Sequence, residues 1–497
     1  MVLVVVPIAA PTAAALIAQA NAAHQQGADL VEVRLDRCGA DHTGIVAALP
    51  VLALPYLLTI RHASEGGNWA SDEAARIALY QAAIAAHAPA FVDVELAHWP
   101  AFQRAGFTVP AETKLILSYH DFTGLGEDLE GKIRAMYAAG ATVAKVAITA
   151  RDSTDLALVE RLYRWERRPL VALAMGEHGL PSRLLAGCWG AHLTFARLDD
   201  DAGSAPGQPT VRDLLRRYRL RSQGPATAIY GVIGSPIAHS LSPLIHNLAF
   251  AHTGQDAVYV PFRVEDAPAF WRTCGAWIAG LSVTIPHKHV LQPLMDGLEN
   301  LAAGIGAMNT VWHDQHGKLL GANTDAEAIR ACLLDAGANL NDRRVLVLGA
   351  GGVARAAVFS ALSGGAQVTI ANRTLERAEE LAGESGASAA PWESARDVAY
   401  DILINGTAVG MRKNGVDPDE SPWPADAHRP GTTVFDTVYV PLETRFLRDA
   451  QMAGCRTICG LDMFIRQAVG QFNRWTGLAA PEPLMRRAAL EQLERRS

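Results

Sequence analysis

Eight short aliphatic runs, most of them followed by an alanine-rich stretch, fill the first 222 residues and limit what this chain can fold into. They are Leu3–Ile8, Leu30–Asp36, Tyr56–Arg61, Phe91–Leu96, Lys114–Phe122, Val143–Ile148, Leu170–Met175 and Leu193–Leu198. Runs of this kind read as strands, and the spacers between them as helices. Eight β/α units in the length of one domain predict a (β/α)8 barrel. A doubly wound open sheet is the alternative, which eight regular repeats make the weaker one.

Polar residues within the runs gather at their C-terminal ends: Glu32, Arg34 and Asp36, Arg61, Asp93 and Glu95, His120, and Lys145. Side chains alternate along a strand, so Glu32 shares a face with Arg34, and Asp93 with Glu95. In a barrel such groups converge at the mouth where catalysis sits. A set of buried ion pairs locking the barrel is the other reading, but so many ionisable groups on separate strands favour a site. Lys145 stands in the otherwise apolar run Val143-Ala144-Lys145-Val146-Ala147-Ile148. A buried ammonium is costly unless neutralised, paired or used. Desolvation lowers a lysine's pKa and frees its amine to form a Schiff base with a ketone. Alternatively, this is a strand-end lysine that snorkels to water.

The chain has 497 residues, more than one core can organise, so two or three domains are expected. Its formal net charge of −7 argues against nucleic acid and anionic membrane as partners, while leaving room for small anionic substrates. Six scattered cysteines without CxxC spacing suit a reduced cytoplasmic protein and no metal centre. The apolar N-terminus lacks a basic region and is interrupted by Pro7 and Pro11, unlike a signal peptide. Ile45–Ile60 is too short for a span and holds Pro50 and Pro55.

Ser222-Gln223-Gly224-Pro225 breaks the repeat and makes a linker. After it, Gly234-Ser235-Pro236 leads to Ser240 and Ser242 near a helix start, where two hydroxyls suit either a carboxylate or plain N-capping. Lys288, after the run Ser282-Val283-Thr284-Ile285, and Asp325 suit a proton-transfer pair or an ordinary salt bridge equally. The clearest motif is Arg344–Leu348 followed by Gly349-Ala350-Gly351-Gly352-Val353-Ala354 and an alanine-rich helix. Strand, G-x-G-x-x-A and helix is the dinucleotide-binding arrangement, with the pyrophosphate at the helix N-terminus. The next strand ends in Asn372-Arg373-Thr374. An acid there would hold the ribose of NAD, whereas arginine suits the 2′-phosphate of NADP.

Taken in order, Glu32-Val33-Arg34-Leu35-Asp36, Asp93-Val94-Glu95, Ser118-Tyr119-His120-Asp121-Phe122, Lys145, Met175-Gly176, Ser182-Arg183 and Ser204-Ala205-Pro206-Gly207-Gln208 resemble the type I 3-dehydroquinate dehydratases. That resemblance implies that Lys145 forms an imine with the substrate ketone. His120 then takes the neighbouring proton and returns one to the departing hydroxyl, a role suited to imidazole. It further implies that Glu95 orients His120 and that Arg183 holds the carboxylate. Glu32, Arg34, Arg61, Ser204 and Gln208 grip the rest of the substrate. Thr142 is a small departure, standing where an acidic residue is common.

The second half resembles shikimate dehydrogenase. The resemblance rests on Gly234-Ser235-Pro236 through His246-Asn247, Ser282 through Lys288, Asn323-Thr324-Asp325, the glycine loop, Asn372-Arg373-Thr374, Ile404-Asn405-Gly406-Thr407, Asp436 through Pro441, and Gly460 through Gln467. It implies that Ser240 and Ser242 hold the substrate carboxylate, that Thr284, Asn309, Tyr439 and Gln467 contact the ring, and that Lys288 and Asp325 form the catalytic pair. Gly349, Ala350, Gly351, Gly352, Val353, Asn372, Arg373, Thr374 and Gly460 would bind NADP. Ala326-Glu327-Ala328 departs from a family that often carries glycine there.

The expected arrangement is a barrel over 1–222, a substrate-binding domain over 226–327 completed by 461–497, and an NADP-binding Rossmann domain over 328–460. Together they would convert 3-dehydroquinate through 3-dehydroshikimate to shikimate. Two rivals stay open: a quinate dehydrogenase in the second half, and a catalytically dead metabolite sensor. Oligomeric state is not legible.

Overall fold

The computed structural model describes residues 1–495 except 40, 71, 199–207, 413–416 and 418. It forms two compact units, Met1–Ile229 with Asp256–Trp277, and Tyr230–Gln255 with Ile278–Ser497.

In the first unit, β1 (Leu3–Ile8), β2 (Leu30–Arg34), β3 (Tyr56–Thr59), β4 (Phe91–Glu95), β5 (Lys114–His120), β6 (Val143–Thr149), β7 (Leu170–Met175) and β8 (Leu193–Phe195) form one parallel sheet. Its order, β7-β6-β5-β4-β3-β2-β1-β8, is that of a nearly closed barrel. At the seam, His192 donates its backbone N–H to the Leu170 carbonyl at 2.9 Å.

Period-two alternation sorts the interior into layers. The inward series begin with Leu30, Leu57, Phe91, Ile116, Val143 and Val171, which pack as an apolar floor. Two residues on, Glu32, Thr59, Asp93, Ser118 and Lys145 make a polar storey, every one of them buried. Two residues further, Arg34, Arg61, Glu95 and His120 face the mouth. Backbone register places Glu95 beside Ser118 and Ser118 beside Lys145. The floor supplies burial free energy, and the charges stand on it.

The second unit contains two sheets. One holds the strand Gly280–Val283 parallel to Tyr230–Ile233, then Thr310–His313 and Leu319–Ala322 in antiparallel succession. The other is a fully parallel six-stranded sheet with Arg344–Leu348 and Ile402–Asn405 at its centre, flanked by Gln367–Asn372 and Thr433–Asp436. Val345 and Val347 are completely covered by alanine-rich helices, as strands enclosed on both faces require.

Gly460 opens the helix Gly460–Thr476, where a Cβ would lie 2.4 Å from the Val438 carbonyl oxygen and 2.6 Å from that of Thr437. Both neighbours are backbone and give way only with the strand end that carries them. Gly460→Ala is expected to lower the second unit's stability by about 1–3 kcal/mol, read as an earlier denaturant midpoint.

Candidate active sites

The barrel mouth opens into a cavity with about 540 Å³ of empty space, lined by Glu32, Arg34, Arg61, Glu65, His120, Lys145, Arg183 and Gln208, among others. Seven of these eight were singled out in the sequence. Ser204 lies outside the described residues.

Lys145 is buried, but its Nζ is not alone among aliphatics. It donates to Asp93 Oδ2 at 2.8 Å and lies 4.5 Å from the centre of the Phe195 ring. Asp93 also meets Arg61 at 2.8 Å and accepts from the Ser118 hydroxyl at 2.6 Å. Burial alone would raise the Asp93 carboxyl; Arg61 and then Lys145 outweigh it and hold the group well below the usual carboxylate range. The ionised Asp93 therefore holds Lys145 Nζ in position.

The carboxylate that meets the His120 ring is Glu65, not Glu95. His120 Nδ1 lies 2.9 Å from Glu65 Oε2, and the His120 backbone N–H donates to the same oxygen at 2.9 Å. Glu95 is committed elsewhere, at 3.0 Å from Arg76, 3.3 Å from Arg61 and 2.8 Å from the His62 backbone nitrogen. Arg76 comes from the helix Glu73–Ala86 and is fully buried, so Glu95 anchors that helix to the barrel. Burial, followed by the Arg61 and Lys145 charges, pushes the His120 imidazole well below its ordinary value. Burial pushes the Glu65 carboxyl up to about 7, with Arg61 opposing. Ionised Glu65 accepts a hydrogen bond from Nδ1–H, the tautomer that leaves Nε2 free as a base.

Arg183 is 1% exposed; its Nη1 donates to the Ala174 carbonyl at 2.7 Å, and Nε has no partner. Burial alone brings this guanidinium down to about 10. No carboxylate among the described residues compensates it. By contrast, Arg34 is held by Asp36 at 3.0 and 2.8 Å, and Glu32 accepts from Thr59 at 2.9 Å. Those side chains reach the cavity already positioned.

In the second unit Lys288 Nζ donates to Asp325 Oδ2 at 2.6 Å, and both groups are buried. Asn309 Oδ1 accepts from the Thr324 backbone at 2.8 Å and from the Thr310 hydroxyl at 2.8 Å, while its amide nitrogen meets no acceptor among the described residues. Ser242 donates its N–H to the Ser240 hydroxyl at 3.3 Å, a local turn that sets both hydroxyls at the start of the helix Ser242–His252. A Cβ on Gly234 would lie 2.5 Å from Thr284 Cγ2, so that glycine lets the two loops approach. The Tyr439 ring stacks on Phe464 with centres 4.9 Å apart, and Gln467 Nε2 donates to the Phe464 carbonyl at 2.8 Å.

The glycine loop fits a dinucleotide. Gly349 takes φ +102, and a Cβ there would meet Thr407 at 2.9 Å. Gly351 caps the helix Gly352–Ser363, and a Cβ on it would meet no protein atom. The open space in front of Gly351 is where backbone N–H groups and the helix dipole would receive a phosphate. A Cβ on Gly352 would lie 3.7 Å from Lys288, so the loop and the Lys288–Asp325 pair border one another. Arg373 is exposed and pairs with no carboxylate among the described residues, while Asn372 holds its own turn by donating to Thr374 at 2.8 Å. Glu327, in the segment that departs from glycine, accepts from Arg474 at 2.6 Å, and Arg474 also holds Glu299 at 2.7 Å.

The family model for type I 3-dehydroquinase matches residues 4–225. Those for the shikimate dehydrogenase substrate binding domain, shikimate/quinate 5-dehydrogenase and the shikimate 5′-dehydrogenase C-terminal domain match 232–311, 333–411 and 460–490. A bifunctional 3-dehydroquinate dehydratase/shikimate dehydrogenase, chloroplastic, from Arabidopsis thaliana is 38% identical over 508 residues, covering 97% of this chain and 83% of that protein. The chain belongs to that bifunctional family. The second half alone is 39% identical to a shikimate dehydrogenase (NADP(+)) of Moorella thermoacetica, over 54% of this chain and 94% of that one. It is also similar to a crystal structure of shikimate dehydrogenase in complex with NADP+, with 34% identity, a TM-score of 0.51, and 55% of this chain and 97% of that chain covered.

Glu65 was missed in the sequence because it lies in the loop after β3, outside every strand run. Its roles give a pH signature. Dehydration kcat/KM should rise with pH through about 7, as Glu65 ionises and fixes the productive His120 tautomer. Glu65→Gln should flatten that limb and lower kcat by roughly 10²-fold or more, measured by steady-state rates across pH.

Proposed function

We propose that the barrel, over 1–222, dehydrates 3-dehydroquinate and that the second half reduces the resulting 3-dehydroshikimate to shikimate with NADPH. In the second half, 226–327 with 461–497 binds substrate and 328–460 binds the dinucleotide. The observation that carries the first reaction is one cavity holding a paired lysine, a neutral imidazole and an uncompensated guanidinium.

The substrate carboxylate goes to Arg183, completing its missing charge pair. That contact sets the ketone toward Lys145. The amine sheds its proton, attacks the carbonyl carbon, and loss of water gives a protonated imine. This cation is an electron sink for the neighbouring C–H bond. His120 Nε2 removes that proton, the electron pair moves into the new double bond, and the departing hydroxyl takes a proton from His120. Water then hydrolyses the imine and frees Lys145. Asp93 steadies the positive charge carried first by the ammonium and then by the iminium.

In the second half, NADPH supplies hydride when bound. Ser240 and Ser242 bind the substrate carboxylate, the free Asn309 amide donates to a ring hydroxyl, and Lys288 donates a proton to the carbonyl oxygen while Asp325 holds its Nζ. Arg373 binds the 2′-phosphate. We place both reactions in the cytoplasm, on six cysteines that are all unpaired, as a reducing compartment keeps them, and on substrates that are small polar anions.

Borohydride added with 3-dehydroquinate should fix a covalent adduct on Lys145, located by peptide mass mapping. Lys145→Met should lose both adduct and dehydration while still oxidising shikimate; full dehydration by that variant would sink the reading. Turnover of shikimate and quinate with each cofactor tests the second half. Arg373→Ser should weaken NADP use by roughly 10- to 100-fold, the worth of a charged hydrogen bond, and leave NAD use nearly unchanged. Preference for quinate with NAD would support the rival dehydrogenase.

A further inference from the structure

Beside Glu95, two histidines and a glutamate converge from two successive β/α connections. His62 follows β3, Glu73 begins the helix Glu73–Ala86, and His98 follows β4. The His62 and His98 rings lie 4.2 Å apart, and His98 Nδ1 is 3.4 Å from Glu73 Oε1. One donor atom from each residue lies within 4.8 Å of the other two. The Ser64 hydroxyl stands between the rings, 2.9 Å from His62 Nδ1 and 3.2 Å from His98 Nε2. All three side chains are half-buried, so an ion has a way in from solvent.

We propose that His62, Glu73 and His98 form a binding site for a divalent transition metal of the zinc class. Two imidazoles and a carboxylate are a common zinc donor set, with bonds near 2.0–2.2 Å and a fourth position filled by water. Such bonds require the donors to stand roughly 3.3 Å apart, so the cluster must contract modestly around the ion. The two imidazoles select Zn²⁺, Co²⁺ or Ni²⁺ over Mg²⁺ or Ca²⁺.

The surrounding charges bound the affinity. Glu73 already shares its carboxylate with Arg76 at 2.9 Å, and Arg76 is shared in turn with Glu95. A dication there meets one partly committed negative charge and a nearby guanidinium, which makes the site weaker than a closed structural zinc centre. Its effect reaches the dehydratase through the chain itself. His62 begins the short turn Ala63–Glu65, and its backbone N–H is held by Glu95. Ligation pins that turn to the helix Glu73–Ala86 and to the connection after β4. The metal is thus a clip on the segment that places Arg61 and Glu65, with no contact to substrate.

The test uses the full chain, stripped of metal with a chelator and titrated with Co²⁺ while its ligand-field absorption is followed, then with Zn²⁺ in competition. One saturable equivalent with tetrahedral absorption is expected. His98→Ala and Glu73→Gln should each bind at least roughly 10-fold more weakly, since losing even an outer partner of a metal ligand costs 10- to 100-fold. Retained shikimate oxidation and dehydration in the metal-free variants establish that they are folded. Should one variant fail to fold, the other decides. No saturable cobalt signal in the wild-type chain, or equal binding by wild type and a folded variant, would overturn the proposal.

Discussion

Asp93 is the hinge of the first half's chemistry. It is a completely buried carboxylate, and it is tolerable only because Arg61 and Lys145 lie on either side at 2.8 Å. Remove the carboxylate and two cations are left facing one another in a site with little water. Remove either cation and Asp93 no longer stays ionised without cost. The three therefore hold one another, and the apolar floor beneath them bears the energetic burden of so much buried charge. Arg61 then passes the arrangement to Glu95, and Glu95 to Arg76, so the network runs from the reacting lysine into the outer ring of helices.

The second half solves a similar problem with less charge. Lys288 and Asp325 are a single buried pair beside the glycine loop, and the surrounding polar groups are mostly amides and hydroxyls. Ser282 donates to Gln471, and Gln471 donates to the Asn309 carbonyl, which ties the strand under the substrate to the C-terminal helix. Arg474, bridging Glu299 and Glu327, fastens the same helix to the one that carries Asp325. Glu327 gives that clamp its second carboxylate. The approach of Asp325 to Lys288 is thus fixed by side chains, with little left to backbone freedom.

Much of this was legible in the sequence because the signals were local and periodic. Continuous aliphatic runs mark strands covered on both faces, and period-two alternation carried Glu32, Arg34, Asp93, Glu95, His120 and Lys145 to one mouth. The glycine loop is legible because its geometry forbids other residues. What escaped was set by packing between distant segments. Glu95 shares a face with Asp93 and so looked like the partner of His120, yet a buried arginine from an alanine-rich helix claims it. Glu65 reaches the imidazole from a loop, where no periodicity points. The Arg474 clamp joins residues 175 and 147 positions apart, a separation no sequence pattern reports.

Arg183 has an implication for how binding and rate divide. In the mechanism proposed above, substrate, imine and product all keep the carboxylate that would complete this guanidinium, so the contact would be worth nearly the same at every stage. Such an interaction deepens the whole reaction profile without lowering any one summit. On that reading Arg183 would govern residence, holding the reacting molecule through several chemical steps. The rate is left to Lys145, His120 and Glu65, whose charges change as the bonds do.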